Sequence, residues 1–379
     1  MNSLVRQQCV ISGVEDLEDL HSFERFPVFM GCTDGPAEED LFAPMTWSIS
    51  KSSGLIQLKE LVPLEILYPE SHGAGEVGEL WRQHHQELAR FLNKVSPDAV
   101  FEIGGAHGIL ESEHREEFGA IPWTILEPNP HPAERTQAKF IRGFFDETFS
   151  MEETFDTLVH SHLFEHVYDP NAFMDALANF CPEGTNLVFS LPNMAEMMLR
   201  KYTNCVNFEH SILLTEPYIE FLLASRGFEL VEKQYFRDDH SIFYSAIRRP
   251  SVVEVPLEEN LYSRYKDMYL GYVAYHEALV EDLNERIDAS DLPTFIFGAH
   301  VFTQYLIAFG LQTASCIGVL DNNPSKAGRR LYGTDLKVYL PSVLRGYGAV
   351  NVVLKAGVYN QEIKEHILQN VNSDCVFLE

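Results

Sequence analysis

Residues 99–108 read AVFEIGGAHG, and residues 123–128 read WTILEP. Each begins as a short, largely apolar run, the pattern of a strand buried on both faces of a parallel sheet. The first run breaks into glycines. Gly104, Gly105 and Gly108 let the backbone turn sharply and approach a ligand with no Cβ in the way. The second run ends on an acid, Glu127. A glycine loop after one strand and a carboxylate closing the next imply an open α/β sheet. Its ligand crevice would lie off the carboxyl ends of the strands.

The strand and helix alternation extends both ways from this point. Upstream, Val77, Leu80, Trp81, His84, Leu88, Phe91, Leu92 and Val95 recur at helical spacing, with Trp81 and His84 expected to face the core. Downstream, residues 155–160 and 186–191 read as buried strands. Residues 228–235 and 241–247, parted by Arg237-Asp238-Asp239, read as an antiparallel pair ending the sheet. A linker at 250–256 precedes a long helical stripe through Leu261, Tyr265, Met268, Tyr272, His276, Leu279, Leu283 and Ile287. A second strand and helix series then starts at Thr294 (TFIFGAH, CIGVLDNNP, LKVYLP, NVVLKAG, CVFLE). In residues 1–76, Pro27, Pro36, Pro44, Pro63 and Pro69 punctuate short apolar stretches, which predicts a small, irregular, loop-rich lobe. The expected organisation is α/β in three units: the lobe at 1–76, a Rossmann-like central domain at 77–250, and a helix with a second Rossmann-like unit at 251–379.

Composition narrows the partners. The 379 residues carry 28 Lys+Arg against 56 Asp+Glu, a formal charge of −28. So acidic a surface repels phosphate backbones and anionic lipid. The basic pairs Arg248-Arg249 and Arg329-Arg330 do not make a patch, so neither nucleic acid nor membrane is an expected partner. No apolar run reaches the roughly 18 residues of a membrane span. The opening MNSLVRQQCVISGVEDLEDL lacks the apolar core of a signal peptide. Six cysteines without framework spacing read as free thiols, and a cytoplasmic location is expected.

The glycine spacing selects among cofactors. Dinucleotide folds want G-x-G-x-x-G, and here Gly105 adjoins Gly104. The loop instead reads E-x-G-x-x-x-G through Glu102, Gly104 and Gly108. With Glu127 placed to accept from both ribose hydroxyls, this suits S-adenosylmethionine, which has a ribose but no phosphate. Phe145 and Asp146, after the third strand position, can sandwich and hydrogen-bond adenine. Ser161 and His162, ending the fourth strand, are expected at the methionine part of the cofactor or at the acceptor. His160, His162 and His166 invite a metal reading, but no cysteine or carboxylate spacing completes a set, and no metal is expected there.

Leu163-Phe164-Glu165-His166-Val167 resembles the segment after strand four of class I methyltransferases that use S-adenosylmethionine. The whole chain resembles the three-domain sugar C-methyltransferase family, which acts on nucleotide-linked keto-deoxysugars. The match rests on Gly54-Leu55-Ile56-Gln57-Leu58 and Val62-Pro63, on the central motifs above, and on the C-terminal stretch Asp321 to Arg329 followed by Gly333-Thr334. The resemblance implies a substrate-sharing C-terminal domain, with Asn193, Gly298, Asn323 and Lys326 as substrate-binding candidates. It also implies a zinc-binding lobe with two C-x-x-C pairs. Here those positions read Cys9-Val-Ile-Ser12 and Ser50-Lys-Ser-Ser53. Serine is a poor zinc ligand, so the structural zinc is expected to be lost, with Phe23, Phe26, Phe29 and Trp47 packing in its place.

The resemblance places the catalytic base in a Glu-His pair after strand five, here Glu209-His210 in Asn207-Phe208-Glu209-His210. A histidine titrating near neutrality suits abstraction of a proton from carbon beside a ketone, or from a hydroxyl. Glu209 would orient His210 or bind substrate. The family's tyrosine just upstream is replaced by Asn207, which leaves the acceptor atom open. Tyr68 and His72, in LYPESHGAG, are further catalytic candidates where the lobe would reach the cofactor. The leading expectation is a methyltransferase acting on a nucleotide-linked sugar. An O- or N-methyltransferase on another saccharide or small metabolite is the alternative, and a non-catalytic nucleotide-sugar-binding protein with a relic site is a third. A dinucleotide oxidoreductase is disfavoured by the glycine spacing. Oligomeric state is not readable.

Overall fold

The computed structural model describes residues 4–67 and 78–379. The N-terminal lobe is more regular than its prolines suggest. Leu17–Pro27 (β1), Phe42–Ser50 (β2) and Ile56–Leu58 (β3) form an antiparallel sheet in that order. Pro44 is accommodated because the β1–β2 pairing jumps from Phe23↔Met45 to Phe26↔Ala43, so no ladder bond is asked of it. The prediction of an irregular lobe is corrected on this point. Phe23, Phe26 and Trp47 are buried as expected, while Phe29 stays part-exposed, edge-on to Tyr332. The four positions of the altered C-x-x-C pairs meet. Cys9 Sγ lies 3.2 Å from Ser53 Oγ, Ser12 N donates to Cys9 Sγ, and Ser53 N donates to Ser50 Oγ.

The central domain opens with a helix, Glu79–Asn93 (α1), that buries His84, Leu88, Ala89, Phe91 and Leu92. Then follow Val100–Ile103 (β4), Ile109–Phe118 (α2), Trp123–Glu127 (β5), Lys139–Arg142 (β6), Thr157–Ser161 (β7), Pro170–Phe180 (α3) and Asn186–Pro192 (β8). Met194–Leu199 (α4), Glu216–Ser225 (α5), Phe228–Phe236 (β9) and Ser241–Arg248 (β10) complete it. The seven strands lie in the order β9-β10-β8-β7-β4-β5-β6, with β10 alone antiparallel. The chain first builds outward from β4 to β6 and then crosses back to β7. The crevice therefore opens where the strand order reverses, beside β4.

Leu261–Asp288 (α6) leads to a second sheet of Thr294–Phe297 (β11), Cys316–Leu320 (β12), Val338–Tyr339 (β13), Val350–Leu354 (β14) and Cys375–Leu378 (β15). These are all parallel, in the order β13-β12-β11-β14-β15, with Val301–Ala308 (α7) and Asn360–Asn370 (α8) among the connections. The first half of α6 (Leu261, Tyr265, Tyr269, Tyr272, Val273) packs into the core shared by lobe and central domain. Its second half (Leu279, Val280, Leu283, Ile287) packs into the second sheet. The helix thus serves two cores. All six cysteines are free, and no helix among the described residues is long and apolar enough to cross a membrane.

Candidate active site

The glycine loop is built by close approach. Gly104 has φ +76, and a Cβ on Gly105 would sit 2.6 Å from Glu102 Cδ. Gly108, at φ +69, starts α2 and passes so near Thr136 that a Cβ would lie 2.4 Å from its Oγ1. Glu102 was expected at the cofactor. It instead lies beneath the loop, 4% exposed, with Oε2 accepting from Trp123 Nε1 at 2.8 Å. Burial pushes its carboxyl up to about 7. Glu127 ends β5 half-buried. Its two oxygens accept from Ala106 N (3.3 Å) and Asn129 N (3.1 Å), so the carboxylate is fixed against the loop with lone pairs to spare for a ribose.

Phe145 and Asp146, the pair expected at adenine, follow β6. Phe145 packs among Phe149, Phe173 and Phe180, while Phe144 beside it is 71% exposed. Asp146 caps a turn, accepting from Thr148 N and Oγ1. The part-buried ring lies against the aromatic core, and the exposed carboxylate closes a local turn through Oδ1.

At the end of β7 the chain makes a strained exit, with His162 at φ +47. Ser161 Oγ bonds Ser190 Oγ at 2.8 Å, and His162 Nε2 lies 2.9 Å from Ser241 Oγ. His162 Nδ1 lies 3.2 Å from Glu165 Oε1 without a hydrogen bond between them, since neither Glu165 oxygen has a hydrogen-bond partner. Glu165 is 1% exposed, and burial pushes it up to about 7. His160 is simply core, stacked on Phe189.

His210 sits where the lobe meets the central domain. Arg6, 6% exposed, donates to Leu58 O, Ser211 O and Tyr168 O. Leu58 N donates to Ser211 O and Leu213 N to Ile56 O, so residues 211–213 extend the lobe's sheet. Asn207 Oδ1 accepts from both Glu209 N (2.8 Å) and His210 N (2.9 Å), which fixes the turn. His210 Nδ1 lies 3.2 Å from Asn204 O, so Nδ1 carries the proton and Nε2 the lone pair. Burial pushes the imidazole below its ordinary range, with Glu165 pulling it back up. Glu209 turns instead toward His166, with Oε2 4.0 Å from Nδ1. Glu165 is a carboxylate that acts on His210, one that the sequence reading did not place there. Glu165, His166 and His210 converge, as do His84, His162 and His240, the ligand atoms of each trio lying within 4.8 Å of one another. Tyr68 and His72 lie outside the described residues.

The other substrate candidates have structural partners. Asn193 caps α4 through Glu196 N and donates from Nδ2 to Asp238 O. Gly298, at φ +105, opens the turn after β11. Asn323 caps its own turn by accepting from Ser325, and Lys326 donates to Asp321 Oδ2 and Ala299 O. All four amide, ammonium and backbone groups are engaged in closing loops.

Comparison with known proteins now bears on the crevice. Residues 77–233 match the family described as "Methyltransferase domain". This segment is a class I, S-adenosylmethionine-dependent methyltransferase domain. The matched span runs from just before α1 into β9, and so includes the glycine loop, Glu127, Glu165 and His210. Among solved structures, an O-methyltransferase family protein from Burkholderia thailandensis is similar at 12% identity. The match covers 45% of this chain and 56% of that one, with a TM-score of 0.36. Magnesium protoporphyrin IX methyltransferase from Synechocystis PCC 6803, solved with S-adenosylhomocysteine, is similar at 15% identity over 46% of this chain and 90% of that one (TM-score 0.36). An S-adenosylmethionine-dependent methyltransferase from Clostridium acetobutylicum is similar at 9% over 46% and 93% (TM-score 0.35). No curated protein matches the chain. Sequence reasoning gave no role to Glu165 or His240 and read Asn207 only as the departure from the family's tyrosine. Glu165 left a signal as the acid of the run after strand four, and His240 left none.

Proposed function

We propose that the whole chain methylates a small, nucleotide-linked keto-deoxysugar, with His210 as the base. The observation that carries the base assignment is the fixed tautomer of His210: Nδ1 is held at Asn204 O and Nε2 is left to accept a proton. The crevice fits S-adenosylmethionine in kind. Glycines keep the loop clear of side chains, and Glu127 is held at the loop by backbone donors. The bound cofactor would supply an electrophilic methyl group. The chain's own part is to remove the acceptor's proton to His210 Nε2 and to stabilise the resulting imidazolium. The buried Glu165 carboxylate favours that cation. Lobe and central domain meet at this residue, which suits exclusion of water during the transfer. The zinc-less lobe expectation stands as part of the proposal, with Cys9 and three serines replacing thiolate ligands.

Asn207 in place of the family's tyrosine favours a second reading, in which the acceptor is a hydroxyl or amine. Deuterated keto-sugars separate the two. Carbon methylation replaces a ring deuterium by methyl and oxygen methylation keeps it, as read by product mass. For either, calorimetry should show S-adenosylhomocysteine binding to wild type and to His210→Ala alike, while His210→Ala loses turnover by about a hundredfold or more. Full turnover in His210→Ala would overturn the base assignment. Absence of binding heat in both proteins would overturn the cofactor reading.

A further inference from the structure

His84, His162 and His240 come from three separate elements. His84 is in the second turn of α1, His162 is at the end of β7, and His240 is at the tip joining β9 to β10. Each is held in place independently. α1 buries His84 completely, the left-handed exit from β7 fixes His162, and Asn193 N donates to His240 O at 2.9 Å. Trp81 covers the group, its ring 5.2, 4.9 and 5.1 Å from the three imidazoles.

The second observation is a missing partner. His84 is 0% exposed, and neither of its ring nitrogens has a hydrogen-bond partner. Leaving such a buried group unsatisfied is costly. One hydroxyl lies between the other two. Ser241 Oγ is 2.9 Å from His162 Nε2 and 2.7 Å from His240 Nδ1. Accepting from His240 Nδ1–H leaves His240 Nε2 with its lone pair, and an ion at His162 Nε2 takes the lone pair that the hydroxyl would otherwise occupy.

We propose that His84, His162 and His240 bind one divalent transition-metal ion of the zinc type. Three imidazoles without carboxylate select zinc, cobalt, nickel or copper over magnesium and calcium. Burial keeps all three imidazoles neutral, the form that ligates. Three protein ligands leave a fourth position for water or an acceptor oxygen. Ligation also supplies the partner that His84 lacks, and the formal charge of −28 favours cation capture. The inference is independent of the base assignment, because none of the three ligands is His210.

The test uses the full chain, stripped with chelator and titrated with cobalt(II) and then zinc(II). The expected result is one cobalt per chain with visible ligand-field bands, displaced by zinc. His84→Ala and His240→Gln should each weaken binding by tenfold or more, as read by those bands and by metal retained after gel filtration. Cys9→Ala and His166→Ala should keep the wild-type equivalent, which separates this site from the lobe and from the neighbouring Glu165 cluster. His240 lies at a loop tip, so His240→Gln decides the matter should His84→Ala fail to fold. Wild type retaining no cobalt, His240→Gln binding as wild type, or loss of the metal with Cys9→Ala or His166→Ala would each overturn the proposal.

Discussion

Glu102 is a carboxylate held in an apolar layer with one hydrogen bond, and its burial costs the protein most when it is charged. Its folded pKa of about 7 exceeds the ordinary 4.5, so the native state holds a proton that the unfolded chain gives up. The associated stability is complete below about pH 4.5 and lost as pH rises through about 7. At about 1.4 kcal/mol per unit, the loss is on the order of 3–4 kcal/mol. Glu102→Gln should therefore unfold in urea with a flatter pH profile between pH 5 and 7.5, and be more stable than wild type at the upper end. Parallel profiles for the two proteins would refute this. Glu165 titrates in the same range but is common to both. The same residue explains a feature that spacing alone could not. Gly105 breaks the dinucleotide pattern, and it must be glycine because Glu102 fills the space a Cβ would take. The loop was legible as a loop; what lies under it was not.

Among the elements, the strands around the glycine loop were legible because buried parallel strands are short apolar runs with sharp ends. The lobe's strands were not, because Pro27 and Pro44 argue against strand locally, while the bulge that admits Pro44 depends on pairing. The site followed the same division. Glu127 and His210 announce themselves by position after a strand. The partners of His210 come from residues 165, 204 and 207, and its neighbour Ser211 is held by Arg6 from the lobe. Asn207 is the informative case, since it departs from the family's tyrosine yet holds the Glu209-His210 turn with one oxygen. Asn207→Ala should cost about 1 kcal/mol, the usual loss for a capping acceptor. It should also release His210 from a single tautomer, while Asn207→Asp keeps the acceptor and the tautomer. Nitrogen-15 spectra of labelled histidine report this directly. An unchanged Nδ1–H signal in Asn207→Ala would show that the Asn204 carbonyl alone suffices.

Over the whole molecule, the second sheet was legible from the change of pattern after the linker, but its coupling to the rest was not. The largest core runs unbroken from the lobe through one face of the central sheet to the first half of α6. The C-terminal sheet has cores of its own, one of them reaching Cys32 of the lobe, while α7 sends Val301 and Tyr305 into the shared core, and a polar clamp adds to this join. Cys32–Thr33 pairs with Arg330–Leu331, and Arg330 makes a bidentate pair with Asp40, whose side chain is 3% exposed and also accepts from Gly333 N. The D-N-N-P-x-K-x-G-R stretch thus leads straight into an inter-unit anchor, whatever else it binds. Removing one partner of so enclosed a pair costs on the order of 3 kcal/mol. Asp40→Ala should therefore loosen the C-terminal unit while the shared core holds. The three tryptophans, Trp47, Trp81 and Trp123, all lie outside that unit, so fluorescence follows the lobe and central domain while far-ultraviolet dichroism follows the whole chain. In wild type the two thermal curves should nearly coincide. In Asp40→Ala the dichroism curve should begin its fall several degrees below the fluorescence curve. Curves that shift together would mean that the clamp stabilises the lobe itself and that the three units melt as one.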